Sequence, residues 1–127
     1  MPAPGGDALF LRPPGGEKEL GELFPAPFYF AARIDGAAVP DKAALMDVLA
    51  GVFKFPAYFG RNWDALLDCL RSLPDDLPAG GYVLVIKNSE KFLSASPADL
   101  EDFRDIAGEA RAFLAEKMKK SFVIVLL

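Results

Sequence analysis

The sequence predicts a single α/β domain in which a small sheet of three parallel strands is covered by helices. Segments typical of strands and helices alternate from residue 27 onwards, in the order strand, helix, helix, strand, helix, strand. The last segment, residues 122–127, is an unbroken apolar run, which is typical of a strand covered on both faces of a parallel sheet. With 127 residues, 52% of them hydrophobic, the chain is long enough to bury one core.

Two further segments have the composition of strands. Residues 28–34 are aromatic and apolar with one charged residue, and the turn pair Asp35-Gly36 follows them. Residues 82–86 are also apolar, and we expect a loop at residues 75–81 before them. A single helical turn is expected at residues 89–93.

Capping residues predict where the first two helices begin. Asp41 is a good N-cap for a helix that ends near residue 55, because Pro56 disfavours the helical conformation in the residue before it. Asn62 caps a second helix that runs to about Ser72.

The longest predicted helix begins after Ser96, which stands at the N-cap position with Pro97 at the first helical position. We expect the Ser96 side chain to cap this helix. Its apolar stripe consists of Leu100, Phe103, Ala107, Ala110, Leu114 and Met118.

The chain divides into an N-terminal extension, residues 1–26, and a main domain, residues 27–127. The extension is rich in proline and glycine, which suppress long regular elements. Its apolar residues indicate that it lies on the main domain, with one short strand and one helical turn.

Composition excludes several classes of function. The chain has no histidine and one cysteine, which excludes His-dependent hydrolases, His-ligated metals and thiolate metal cages, so we expect no metal and no cofactor. A net charge of -4 argues against direct binding of nucleic acid. No apolar run is long enough for a membrane span, and the first residues do not have the pattern of a signal peptide. We therefore expect a cytoplasmic protein.

The segment with the most chemical information is residues 58–70, which reads YFGRNWDALLDCL. Helical spacing places Asp64 and Asp68 beside each other, one turn apart. An aromatic pair, Tyr58 and Phe59, precedes them, and we expect Gly60 to adopt a backbone conformation barred to other residues. The same helical spacing gives one apolar stripe of Trp63, Leu66, Leu67 and Leu70.

Each of these side chains also has a purely structural interpretation. Asp64 lies in the first turn, where a carboxylate stabilises the helix dipole. Asp68 could belong to a solvated face with Arg71 as its neighbour three residues on. Tyr58 and Phe59 could both belong to the core, as could Trp63. Cys69 is interpreted as a small buried hydrophobic residue, since nothing near it suggests an activated thiolate.

Paired carboxylates could also belong to a hydrolase. Such pairs come from rigid elements around a substrate cleft, whereas Asp64 and Asp68 lie one turn apart on one helix and face outwards. A deep pocket around the two acids would favour the hydrolase, and a flat or convex surface would exclude it. We expect no catalytic residue.

Residues 58–70 closely resemble the signature of the barstar family, bacterial intracellular ribonuclease inhibitors, in which two aromatic residues and a glycine precede an Asn-x-Asp-Ala-Leu-x-Asp motif. The order of elements over residues 27–127 also agrees with that family, while residues 1–26 lie outside it. The resemblance implies three parallel strands covered by helices. It also implies an inhibitor that blocks the active site of a small basic RNase.

The resemblance further implies roles for individual residues. The residue at Asp68 enters the phosphate-binding centre of the nuclease, and Asp64 pairs with a nearby arginine. Tyr58 packs on a nuclease side chain, while Asn62 and Gly60 shape the loop. Two positions depart from barstar, which has an acid at Arg61 and a tryptophan at Leu67, and both changes suggest a nuclease with a different surface. We predict that the partner-binding residues are Tyr58, Phe59, Gly60, Asn62, Asp64, Leu67, Asp68 and Arg71.

The sequence therefore predicts a cytoplasmic, non-enzymatic inhibitor of the antitoxin or immunity type. We expect it to be a monomer that binds a small basic RNase, or a related nuclease toxin, one to one. The alternative is a protein-interaction module of the same fold that recognises a different basic partner without inhibiting a nuclease.

Overall fold

A computed structural model describes residues 9–127 of the chain. Its centre is a parallel sheet of four strands in the order β1-β4-β3-β2. The α/β class is confirmed, but the predicted number of three strands is wrong, because the N-terminal segment adds a short edge strand. The strands are β1 (Phe10–Leu11), β2 (Tyr29–Asp35), β3 (Gly81–Lys87) and β4 (Ser121–Leu126).

Five α-helices within residues 9–127 pack around the sheet, and short 3₁₀ turns lie at Gly16–Glu19, Gly36–Ala38 and Ser89–Lys91. The last helix continues into a π-helical turn, Leu114–Met118. No helix within residues 9–127 is both long and apolar enough to cross a membrane. The helices are α1 (Leu20–Leu23), α2 (Lys42–Val52), α3 (Trp63–Arg71), α4 (Leu73–Asp76) and α5 (Pro97–Phe113).

The predicted N-cap positions of α2, α3 and α5 are confirmed, with Pro97 at the start of α5, but only the first two caps form a side-chain hydrogen bond. Asp41 accepts a hydrogen bond from the Ala44 amide at 3.1 Å, and Asn62 accepts one from the Ala65 amide at 2.8 Å. The Ser96 side chain makes no capping bond. Its backbone carbonyl instead accepts hydrogen bonds from the first turn of α5.

Two helical boundaries and the exposure of one residue differ from prediction. Helix α2 ends at Val52, before the predicted end, because Lys54 takes a left-handed conformation at φ 55°. The predicted loop at residues 75–81 begins inside α4, since Pro74 is compatible with the first turn of a helix. Met118 leaves the buried stripe and is 37% exposed, because the π-helical turn changes the angular spacing of the residues after Phe113.

The two faces of the sheet are covered by different parts of the chain. Helices α2, α3 and α5 bury the face that carries Leu84 and Ile124. The N-terminal segment covers the opposite face. There Leu20 and Phe24 pack with Val83, Val85, Val123 and Val125.

Strand β4 is therefore buried on both faces, as its apolar run predicted. The predicted short strand and helical turn of the extension correspond to β1 and α1, apart from residues 1–8, which lie outside the described chain. An ion pair between Arg33 of β2 and Glu17 also joins this segment to the sheet. The boundary at residue 27 stays a prediction.

Candidate functional site

The connector before α3 is held by hydrogen bonds at both ends. Phe59 donates its amide to the Pro56 carbonyl at 3.0 Å. The Asn62 side chain donates to the Gly60 carbonyl at 3.3 Å and also caps α3, so one residue fixes both the loop and the helix. The prediction that Gly60 adopts a backbone conformation barred to other residues is wrong. The residue of this loop with a left-handed backbone is Arg61, with φ 54°.

Tyr58 and Phe59 point in opposite directions. The Tyr58 side chain is 87% exposed, whereas Phe59 is 8% exposed and belongs to the main core. The Phe59 ring lies 5.1 Å from the ring of Phe55, in an edge-to-face arrangement. Phe59 therefore fixes the connector from inside, and its ring is not available for direct contact with a partner.

Asp64 and Asp68 lie on the exposed face of α3. Leu66 and Leu70 of the same helix are completely buried and hold it against the core. Within residues 9–127, neither carboxylate accepts a side-chain hydrogen bond or forms an ion pair. The helix thus presents two unpaired negative charges, one turn apart, on a fixed support.

Leu67 and Trp63 are half-buried and pack against the core, so each keeps part of its side chain accessible. The Lys42 ammonium group lies 5.7 Å from the centre of the Trp63 ring, a cation–π contact that joins α2 to α3. Trp63 therefore links α2 to α3, and part of its side chain also stays accessible beside the acids of α3.

The two arginines of the segment have partners that sequence spacing could not reveal. Arg61 forms an ion pair with Asp47 of α2. The Arg71 guanidinium carbon lies 5.3 Å from the ring centre of Phe113 in α5, and its Nε atom is buried without an acceptor. Arg71 does not form an ion pair with Asp68, so this arginine does not neutralise that acid through direct contact.

Cys69 is half-buried against the core. Burial raises the pKa of its thiol, and the charges of Asp68 and Asp76 raise it further. The thiol is therefore protonated at neutral pH, which agrees with its interpretation as a packing residue.

The clefts found near α3 do not enclose its acids. An open cleft of about 560 Å³ lies beside the connector and includes Arg61, but neither Asp64 nor Asp68. Within residues 9–127 there is no group of three acidic or cysteine side chains placed to hold a metal ion. The geometry favours a surface that contacts another macromolecule over a pocket that encloses a substrate.

A parallel α/β fold with an aromatic residue and two carboxylates on one exposed segment defines a small protein of the barstar type. A sequence model of that family, described as "Barstar (barnase inhibitor)", matches residues 29–126, and the chain belongs to the barstar family. Members of this family are inhibitors and not enzymes.

The chain is also similar to a named relative, "Putative ribonuclease inhibitor YrdF" of Bacillus subtilis (strain 168). The two sequences are 36% identical over 93 residues, which cover 73% of this chain and 93% of the relative. The matched region of the family model begins at residue 29, so β1 and α1 lie before it.

Proposed function

We propose that the protein inhibits a small basic RNase by covering its active site with the exposed face of α3 and the connector before it. The observation that carries this proposal is the pair of unpaired carboxylates, Asp64 and Asp68, on a firmly held helix of a barstar-family chain. The family match supports ribonuclease inhibition, and the residue roles below are our proposal.

The mechanism is electrostatic mimicry of the substrate. An RNase active site must bind phosphate, so it presents cationic side chains to whatever enters it. Asp68 enters this phosphate-binding centre, and Asp64 pairs with an arginine at its edge. Because Leu66 and Leu70 already fix the helix, little conformational entropy is lost when the carboxylates become ordered in the complex.

The remaining site residues position or extend this contact. Tyr58 supplies an exposed aromatic surface, and Leu67 supplies an apolar contact beside the acids. Asn62 and Gly60 hold the connector, while Phe59 acts from the core. Arg71 adds a cation at the end of α3, held over Phe113.

The test is a titration of purified barnase, and of other small basic RNases, with the full chain. RNA cleavage is measured with a fluorogenic substrate. We expect inhibition that saturates at one inhibitor per nuclease, and Asp64→Asn should weaken it by about tenfold, as loss of a charged pair at an interface does. The matched control is Asp102→Asn, which removes one exposed charge from α5.

Two results would overturn the proposal. One is a panel of basic RNases that remains fully active at saturating protein. The other is inhibition that Asp64→Asn and Asp102→Asn weaken equally, which would indicate a non-specific effect of net charge.

One observation favours a second candidate, a module that binds a different basic partner without blocking a nuclease. Arg61 carries a positive charge at a position where barstar has an acid, and it is held by Asp47. In that case an RNase would bind weakly, and the bound enzyme would still cleave its substrate.

A further inference from the structure

A second cleft lies at the carboxyl ends of β1 and β4, at an edge of the sheet. Its volume is about 280 Å³. Phe10 and Arg12 line it from the β1 side, and Leu126 lines it from the end of β4. Ser89 and Phe92 follow β3, and α5 contributes Leu100 and Arg104. None of these residues belongs to α3 or to the connector before it.

The connections that follow β1 and β3, the two strands on either side of β4, leave to opposite faces of the sheet near this cleft. After β1 the chain turns to the face covered by Leu20 and Phe24. After β3 it turns to the opposite face, where α5 packs. In open parallel sheets, ligands bind outside the carboxyl ends of strands where neighbouring connections leave to opposite faces.

The cleft is lined by two arginines without an ion-pair partner among residues 9–127, and apolar side chains line the rest of it. Phe92 is buried, and Leu100, Leu126 and Phe10 are half-buried. The Arg104 guanidinium carbon lies 5.4 Å from the centre of the Phe10 ring, so the ring holds this side chain over the cleft.

Within the part of the chain that the structure describes, neither arginine of the cleft forms an ion pair. Three acids, Glu101, Asp102 and Asp105, line an adjacent depression with Arg104, yet none of them forms an ion pair with it. Within residues 9–127, Arg12 also has no ion-pair partner. The Ser89 hydroxyl donates to the Leu127 carbonyl at 2.9 Å, which leaves its oxygen free to accept.

We propose that this cleft binds a small organic anion, a carboxylate or phosphate group joined to an apolar body. The anion pairs with Arg12 and Arg104, and the body packs on Phe92 and Leu126. At roughly 30 Å³ for each water-sized group, the volume accommodates a ligand of about ten non-hydrogen atoms. Phe10 and Arg12 precede the family match at residue 29, so the site depends on this chain's own N-terminal segment.

The test uses the full chain, labelled with ¹⁵N, and three probes. Phenylacetate carries the anion, phenylacetamide is its neutral counterpart of the same size, and phenyl phosphate compares phosphate with carboxylate. Phenylacetate should shift the amide signals of Arg12, Ser89 and Leu126 saturably, with a Kd on the order of 1 mM for a ligand of this size. The amide should bind at least tenfold more weakly.

Variants separate the cleft from general charge effects. Arg12→Gln and Arg104→Gln should each weaken phenylacetate binding about threefold, and the double variant about tenfold, as expected for exposed ion pairs. The control is Lys117→Gln, which removes an exposed cation from the π-helical turn after α5 and should leave binding unchanged.

Three outcomes would overturn the proposal. Phenylacetamide could bind as well as phenylacetate, the double variant could bind as well as the original chain, or none of the three probes could give saturable shifts at the cleft. If phenyl phosphate binds more tightly than phenylacetate, the natural ligand is an organic phosphate. The opposite order identifies a carboxylate.

Discussion

Strand β3 and helix α3 contain similar numbers of residues, but they use their side chains in different ways. Six of the seven residues of β3 are buried, and the only exposed one, Lys87, is at its end. Of the nine residues of α3, only Leu66 and Leu70 are buried, and its two acids have no partner in the described chain. Packing in the core explains the apolar composition of β3. In α3 it explains only the buried face with Leu66 and Leu70, and not the two acids on the exposed face.

The same contrast exists between two adjacent residues of the connector. Phe59 is enclosed by the core, whereas Tyr58 is among the most exposed large side chains of the described residues. A single substitution at each position therefore separates what the fold requires from what a partner requires.

The largest expected effect is that of Phe59→Ala. Removing a buried aromatic ring should lower the free energy of unfolding by about 3–5 kcal/mol. Tyr58→Ala should change it by less than about 0.5 kcal/mol, because the side chain is exposed. The same change at Tyr58 should weaken RNase binding by about 1–2 kcal/mol, as for a peripheral aromatic contact.

Urea unfolding measures the stability of both variants, and titration of the RNase with each variant measures its binding. If Phe59→Ala leaves the unfolding curve unchanged, the residue does not pack as described. If Tyr58→Ala binds as well as the original chain, Tyr58 lies outside the contact surface.

Leu20→Ala tests the sheet face that the N-terminal segment covers, which lies opposite α3. Leu20 lies with Phe24 over the valines of β3 and β4, so the substitution should destabilise the protein by about 2–4 kcal/mol. RNase inhibition by the folded fraction should not change, since α3 lies on the other face. The control is Leu23→Ala in the same helical turn, where the side chain is only half-buried and the loss should be smaller. Equal stability of Leu20→Ala and the original chain would mean that the N-terminal segment does not cover this face in solution.

Much of the fold could be predicted from local sequence signals. The apolar runs of β2, β3 and β4 and the caps Asp41 and Asn62 each act within a few residues, so the sequence pattern identifies them. A short strand in the extension is expected from its apolar residues, but its pairing with β4 as a fourth strand of the sheet could not be predicted in this way. Two residues do not specify a partner by their own pattern, and the pairing of β1 depends on the free edge of β4.

The candidate site could be predicted only in part, for a similar reason. Asp64 and Asp68 share a helix, so their proximity follows from the sequence spacing. The ion pair of Arg61 with Asp47 joins two helices, and the contact of Arg71 with Phe113 joins two others. Such contacts depend on how helices pack, and no local spacing specifies them.

Arg61→Glu tests whether negative charge near Asp64 speeds association with the partner. If the target is a basic RNase, adding an acid near Asp64 should raise the association rate by about tenfold at low salt and by less at high salt. The lost surface ion pair with Asp47 should cost at most about 1 kcal/mol of stability. Stopped-flow association measures the effect, and Lys117→Glu is the control for the same change in net charge. Slower binding of Arg61→Glu would show that Arg61 meets an acid on the partner.

The smallest expected effect is a pH dependence at Asp35, at the end of β2. A hydrogen bond from the Asn88 side chain, and a second from the Ala37 amide, lower the pKa of the Asp35 carboxyl below its ordinary value of 3.8. A lowered pKa in the folded state gives stability that is present above the ordinary pKa and lost as the pH falls through the folded value. Asp35→Asn should therefore reduce the fall in Tm between pH 7 and strongly acidic pH. An equal fall for both proteins would contradict this role.

The central claim is that Asp68 is kept for a partner and not for the fold, and Asp68→Ala tests it most directly with two readouts. Thermal unfolding should show equal or higher stability, by up to about 0.7 kcal/mol, because alanine is the better helix former. Removal of the repulsion with Asp64 should add about 0.2–0.5 kcal/mol. RNase titration of the same variant should show affinity reduced by about 2 kcal/mol or more, as loss of a central anchor does. A variant that is less stable but binds the RNase normally would contradict the claim, since Asp68 would then serve the fold.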